Sequence, residues 1–371
     1  MNKRVFAGIL AALCGGSVGV FACTSWVIHP SRSRSGRMIV HKCRDSNVSP
    51  LAARMFDSPG GRRWMRIGTS AGWNCFSMND RGVVIILNAA DTVSTRHAGG
   101  GRIGYGGGAF MTLVARNCTA ADQALPLIKY FCDHDLNVAP NSFFVADPKR
   151  AFLIDVAPGY FAVKELYGGM AIISNCMHLP GVERVSTMSW PRIRYDRLRE
   201  ANVRRELKRG RVNGKYTIPD TMRVSRLKWQ KEQDKHLPFR KDSVSAATFE
   251  IDPEFPDVLS TAYIALGPQQ HTVYLPTPMA LEQFPKEIGD GSWGELAYSL
   301  RKAAGDDHDG LKRIVELEQK LFAEYDHVRE QARSFLKAKR RGEAVKILNE
   351  CYRRHFAAAK QLLAELNPAA K

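Results

Sequence analysis

Phe21-Ala22-Cys23-Thr24-Ser25-Trp26 is where an export signal is expected to end and a folded chain to begin. Residues 1–22 have the three parts of such a signal. Lys3 and Arg4 supply the positive start, residues 5–20 are apolar and uncharged, and Val20 and Ala22 put small side chains where a signal peptidase reads. A cut between Ala22 and Cys23 leaves a chain that starts with cysteine. Its thiol can attack a carbonyl, and the free α-amine beside it titrates near neutral pH and can take up the thiol proton. The apolar run is short for a membrane span, so no transmembrane span is expected in the mature chain, and the expected location is periplasmic or extracellular. Two alternatives stand beside this one: an uncleaved N-terminal anchor, and a lipoprotein signal with Cys23 acylated. Acylation would block the thiol and the amine together.

The chain has 371 residues, 44% of them hydrophobic, and a formal net charge of +17. That length suits one large domain or a domain with an extension. The positive charge favours anionic partners: acidic small-molecule substrates, cell-wall polymers or lipid headgroups. No recognised nucleic-acid-binding motif accompanies the charge, so nucleic acid is not expected as a partner. Eight cysteines are present: Cys14, Cys23, Cys43, Cys75, Cys118, Cys132, Cys176 and Cys351. Export would allow some of them to pair. None forms CxxC or a Cys/His pair at zinc spacing, so neither a metal nor a cofactor is expected.

Working outward from Cys23, residues 24–29 alternate and read as a strand, residues 30–36 as its turn, and residues 37–43 as a second strand. This hairpin returns the chain beside Cys23 and brings Lys42, Arg44 and Asp45 to the same end. Residues 64–67 and 73–77 read as further strands, and residues 78–82 as a turn in which Gly82 suits a positive φ. Residues 83–87 are a continuous apolar run, as in a strand covered on both faces, and Asn88 follows it directly. Either Asn88 caps the strand or its amide is aimed at a site. Residues 99–108 (GGGRIGYGGG) read as a loop on the substrate side. They lack the Lys-Ser/Thr of a phosphate cradle.

Thr119 and Asp122 mark a helix start, with the helix over residues 120–131 and Pro126 a candidate bend. Residues 141–146 and 151–156 make a strand–turn–strand. Residues 160–166 and 170–174 extend the series, which ends at Asn175. Residues 191–208 have helical spacing and a basic face, with Arg192 or Arg194 placed to point inward. Residues 209–245 read as a surface excursion with a helical piece over 224–233. Residues 245–251, 260–267 and 272–276 return to strands. Beyond about residue 286 the pattern is charged and helical. Leu311, Ile314, Leu317, Leu321 and Tyr325 recur at three and four, which predicts two or three amphipathic helices packed on the domain or on a partner.

The stretches CTSWVIHP, IVHKCRDSN, MNDRGVVIILN and NSFFVADPKRAFLIDVAPGYFAVKELYGGMAIISN, taken in that order, resemble the N-terminal nucleophile hydrolases that cut linear amides. The relatives are choloylglycine hydrolases, the penicillin acyltransferase group and the C69 dipeptidases. The resemblance implies an α+β fold, an αββα four-layer sandwich. Residues 1–22 would be the signal, 23–285 the hydrolase domain and 286–371 a helical extension through which a homo-oligomer could form. It implies Cys23 as the nucleophile, Asp45 as the carboxylate near the terminal amine, Asn88 as an oxyanion-hole residue and Asn175 as a second active-site asparagine. Lys42 falls where bile-salt hydrolases carry arginine. The family's later arginine falls on Arg192 or Arg194.

The implied activity is hydrolysis of a linear amide, an N-acyl amino acid, a peptide or a related C–N bond, through a thioester on Cys23. The substrate would be a small amide or peptide, with an anionic one favoured by the basic surface. A C69-like dipeptidase, an acyltransferase of the same fold and a non-catalytic lipidated surface protein are the alternatives.

Overall fold

A computed structural model describes residues 23–46, 51–59, 61–69, 72, 74–90, 107–134, 140–186, 189–228, 236–305 and 309–367. The expected signal at 1–22 and most of the glycine-rich segment at 99–108 lie outside the described residues. β1 (Thr24–Ile28) and β2 (Met38–Asp45) form the expected hairpin, with Thr24 opposite Cys43 and Ser25 opposite Lys42. β3 (Leu51–Asp57), β4 (Arg63–Thr69), β5 (Asn74–Asn79), β6 (Val84–Ala89), β7 (Asn141–Ala146), β8 (Ala151–Ala157) and β9 (Tyr160–Glu165) run as one antiparallel meander, a seven-stranded sheet. β10 (Met170–Ile173) then crosses to the other sheet and pairs with β1. β11 (Ser243–Ile251), β12 (Thr261–Leu266) and β13 (Leu275–Pro278) complete its order, β10-β1-β2-β11-β12-β13.

Strand alternation sorts the side chains into layers. Val27, Met38, Val40, Phe249 and Ile264 of the six-stranded sheet meet Ile67, Phe76, Val84, Ile86 and Phe144 of the seven-stranded one, forming the core between the sheets. Val83, Ile85, Phe143 and Ile154 face the other way, against Phe110, Val114 and Ile128 of α1 (Gly107–Asn117) and α2 (Ala124–Asp133). Trp26, Ile28, Ile39 and Tyr263 face Val203, Leu207, Met222 and Val224 of α3 (Trp190–Gly210) and α4 (Ile218–Ser225). The order is helices, sheet, sheet, helices, an αββα sandwich. The unbroken apolar run at 83–87 is therefore apolar for two reasons at once, one per face. Each such side chain fully buried contributes roughly 1.5–3 kcal/mol.

Several elements differ from the sequence reading. β3 was not anticipated. Asn88 does not follow β6 but lies inside it, opposite Ser142. The glycine-rich segment ends in a helix, because Gly107 and Gly108 begin α1. A Cβ on Gly108 would meet the Asn74 backbone at 3.0 Å, so this glycine serves close approach of helix to sheet. The helix expected at 120–131 begins as a 3-10 turn, Ala121–Gln123, before α2. Pro126 sits in the first turn of α2, where no intrahelical N–H is needed. Of the helical piece expected at 224–233, residues 229–233 lie outside the described residues, and Val224 and Ser225 end a helix, α4, that starts earlier, at Thr217 and Asp220 in a reciprocal capping box. Met222 and Val224 are buried, so this part of 209–245 is a packed layer and not a surface excursion.

Beyond β13 come α5 (Ser292–Ala304), α6 (Gly310–Lys337) and α7 (Arg341–Leu366). Trp293, Ile314, Leu321 and Tyr352 join the central core, so the apolar stripes of these helices are spent on this chain. Among the described residues no helix is long and apolar enough to cross a membrane.

Candidate active site

β1 and β2 put side chains of one parity between the sheets and those of the other parity under the outer helices. Ser25 and Lys42 are cross-strand partners in line with Val27 and Val40, so they point between the sheets. Asn88 shares parity with Val84 and Ile86 and points into the same space from the opposite sheet. These alternations meet at one end of the sandwich. Ser25 Oγ donates to Asn88 Oδ1 at 2.7 Å, and Lys42 Nζ donates to Asn88 Oδ1 at 2.8 Å and to the Leu87 carbonyl. Asn88 Nδ2 donates to the carbonyls of Ile173 at 3.3 Å and Ser174 at 3.0 Å. This orientation of the amide is fixed by its neighbours. Lys42 can only donate and the two carbonyls can only accept.

Cys23 is buried, and its thiol contacts the Asp45 carbonyl at 3.9 Å. Burial holds the Lys42 pKa below its ordinary value, and the nearby Cys23 side chain partly offsets that. Asp45 faces the outer layer. Its Oδ1 accepts from Ser243 Oγ at 2.7 Å, while Oδ2 is buried with no hydrogen-bond partner among the described residues. Burial, with Asp242 nearby, pushes its carboxyl up to about 7. The residue whose backbone carbonyl contacts Cys23 thus carries a buried carboxylate oxygen without a partner among the described residues, a site that could accept a hydrogen bond from an ammonium.

Asn175 lies just past the end of β10. It donates to the Ala89 carbonyl at 2.7 Å, so the two asparagines stitch the sheets in opposite directions. Its oxygen accepts from Arg199 at 3.0 Å. Arg199 is fully buried and ion-paired with the buried Asp196 at 2.7 Å. Arg194 is exposed. The arginine that reaches the site is neither of those expected. Arg192 shares a helix face with Arg199, two turns away, and stands 3.8 Å from Asp196. The structure thus gathers Cys23, Lys42, Asp45, Asn88 and Asn175 at one end of the sheets and leaves Arg194 outside. Sequence reading missed Ser25, Arg199 and Ser243. For Arg199 a signal existed: it is three residues after Asp196, four before Val203 and eight before Leu207, which places it on the buried stripe of α3.

All seven described cysteines are free thiols, and no disulfide forms among them. The site residues present acid–base and nucleophilic groups.

No protein-family model matches the chain, and no curated protein matches it. Among solved structures it is similar to penicillin V acylase from Agrobacterium tumefaciens, at 9% identity and a TM-score of 0.41, over 66% of this chain and 83% of that one. It is also similar to a mutant of the conjugated bile acid hydrolase from Clostridium perfringens, at 9% identity and a TM-score of 0.45, over 72% and 98%. A second variant of that hydrolase gives 9% identity and a TM-score of 0.36, over 69% and 92%.

Proposed function

We propose that the chain is an exported cysteine hydrolase that cleaves a linear amide through a thioester on Cys23. The observation that carries this reading is the setting of Cys23. Its buried thiol lies within electrostatic reach of a buried ammonium, Lys42, and contacts the backbone carbonyl of Asp45, whose Oδ2 lacks a partner among the described residues. Cleavage before Cys23 would create the cation that this oxygen lacks.

In the proposed reaction the Cys23 α-amine takes the thiol proton, and the sulfur attacks the amide carbonyl carbon. The C–N bond breaks as the α-ammonium returns a proton to the leaving amine. Water then adds to the thioester, the acid is released and the thiol is restored. Charge developing on the carbonyl oxygen needs a donor. Both amide hydrogens of Asn88 are engaged by Ile173 and Ser174, so Asn88 acts by holding Ser25 and Lys42, and Lys42 is the buried cation within electrostatic reach of Cys23. Losing one such donor commonly costs about 2.7–4 kcal/mol of transition-state stabilisation. Lys42→Met is therefore expected to lower kcat about 100- to 1,000-fold.

The test is hydrolysis of an N-acyl amino acid panel and a dipeptide panel by the processed chain and by its Cys23→Ser variant. Turnover by the wild type and none by the variant supports the reading. Turnover that survives Cys23→Ser, or no turnover by a chain shown to begin at a free Cys23, contradicts it.

A further inference from the structure

A second constellation lies on the far side of Asn175 and Arg199, built from the residues next to them. Cys176 Sγ is 4.0 Å from His178 Nε2 and 3.8 Å from Glu200 Oε1, and His178 Nε2 is 2.8 Å from the same Glu200 oxygen. All three side chains are largely withdrawn from solvent. We infer that Cys176, His178 and Glu200 form a site for a zinc-type divalent cation.

The triangle has nearly the right size. A tetrahedral ion about 2.3 Å from sulfur and about 2.0 Å from nitrogen and oxygen has ligand–ligand edges of roughly 3.3–3.6 Å. Each observed edge is within about half an ångström of that, so small rotamer adjustments close the site. Thiolate, imidazole and carboxylate together select zinc and its mimic cobalt over magnesium or calcium, and three protein ligands leave a fourth position open. As the metal binds, the Cys176 proton leaves to solvent and the metal–sulfur bond forms. The His178 ring proton moves to Nδ1, which is buried and has no partner among the described residues.

The backbone that carries two of the ligands is already fixed. Asp155 Oδ2 accepts from the His178 and Leu179 amides at 2.6 and 2.8 Å, and its other oxygen accepts from Ser142 at 2.5 Å. Glu200 Oε1 also accepts from the Ser174 amide at 3.0 Å and the Ser174 hydroxyl at 2.7 Å, which aims that oxygen at the other two ligands. Arg197 touches only the other oxygen, at 3.3 Å. A comparable group, Glu324, Cys351 and His355, is a weaker candidate. Its glutamate is 41% exposed and paired with Arg354 at 2.5 Å. No CxxC marks the first site because its glutamate comes from α3, 22 residues past His178, which is why the sequence predicts no metal. This inference does not depend on the reaction proposed above.

The experiment is titration of the metal-free, processed chain with Co2+ and Zn2+. It is read by the thiolate-to-cobalt absorption band and by metal content after dialysis. One equivalent with a thiolate band is expected in the wild type and in Cys23→Ser and Cys351→Ser. Band and binding are expected to be lost in Cys176→Ser and binding lost in His178→Gln. Glu200→Gln, which can keep the Ser174 bonds at its one oxygen but loses the charge and the bond from Arg197, is expected to weaken binding and serves where the other variants fail to fold by circular dichroism. No band in the wild type, a band that survives Cys176→Ser, binding unchanged in Glu200→Gln, or a band lost with Cys351 or Cys23 instead would overturn the inference.

Discussion

Asn88 Oδ1 accepts hydrogen bonds from Ser25 and Lys42, while its two N–H groups close onto the end of β10. This division of labour can be tested with two variants. Asn88→Asp keeps an oxygen for Lys42 and loses the donors, and Asn88→Ala loses both. If the amide works by holding Lys42, kcat of the aspartate variant stays much closer to wild type than that of the alanine variant. If Asn88 itself donates to the oxyanion, both lose about 100- to 1,000-fold. Asp45 gives a pH prediction. Its folded pKa, about 7, lies above the unfolded value, so the stability it contributes is complete below about pH 3.9 and is lost as pH rises through 7. In a chain extended before Cys23, the urea midpoint should therefore fall between pH 5 and 8. In the processed chain the new ammonium pulls Asp45 down, and that fall should shrink. Identical profiles in the two chains would contradict this account of the carboxylate. At this scale the hairpin and strand alternation brought Cys23, Lys42 and Asp45 together in the sequence reading, while Asn88 lies within β6 instead of following it. Arg199 escaped because a helix position is decided by which face meets the sheet. Glu200 escaped with it because its partners lie more than 20 residues away.

At the level of elements, most strands were legible, since runs such as 83–87 and 151–156 owe their composition to two buried faces. What stayed hidden were elements whose cause is a close approach between parts distant in sequence. Gly107 and Gly108 read as loop residues, yet they let α1 lie against β5 and β6. α4 carried a readable start in Thr217 and Asp220, but the surrounding charge obscured it. Gly82 is the reverse case, where a local signal was sufficient. It has φ +73°, and a Cβ there would meet Ile251 Cγ2 at 2.7 Å. Gly82→Ala is expected to destabilise the fold by about 2 kcal/mol or more, combining left-handed strain with overpacking. Urea unfolding measures it, and an unchanged midpoint would show that the β5–β6 turn relaxes freely.

Across the whole molecule, buried ion pairs tie the C-terminal helices to the sandwich. Arg226 meets Glu318 of α6 through two hydrogen bonds of 2.7 and 2.6 Å, and Glu318 also accepts from the Tyr274 amide at 2.6 Å. Glu318→Leu leaves a buried, unpaired guanidinium and should cost about 3–5 kcal/mol. The double variant with Arg226→Met should recover most of that loss. A single variant as stable as wild type would mean that α6 is held by its apolar face alone. The amphipathic period predicted these helices, but the sequence could not show that their apolar face joins the central core, since that depends on where β13 leaves its edge.

The proposed function rests on Cys23 becoming the terminal residue, and the mass of the N-terminal peptide tests that most directly. It should be measured on protein recovered from an exporting host, before and after a thiol-reactive probe. The account predicts a peptide that begins with unmodified Cys23 and gains one probe adduct on that residue. A diacylglyceryl cysteine, or a chain that still begins before Ala22, would leave no free amine at Cys23 and would contradict it.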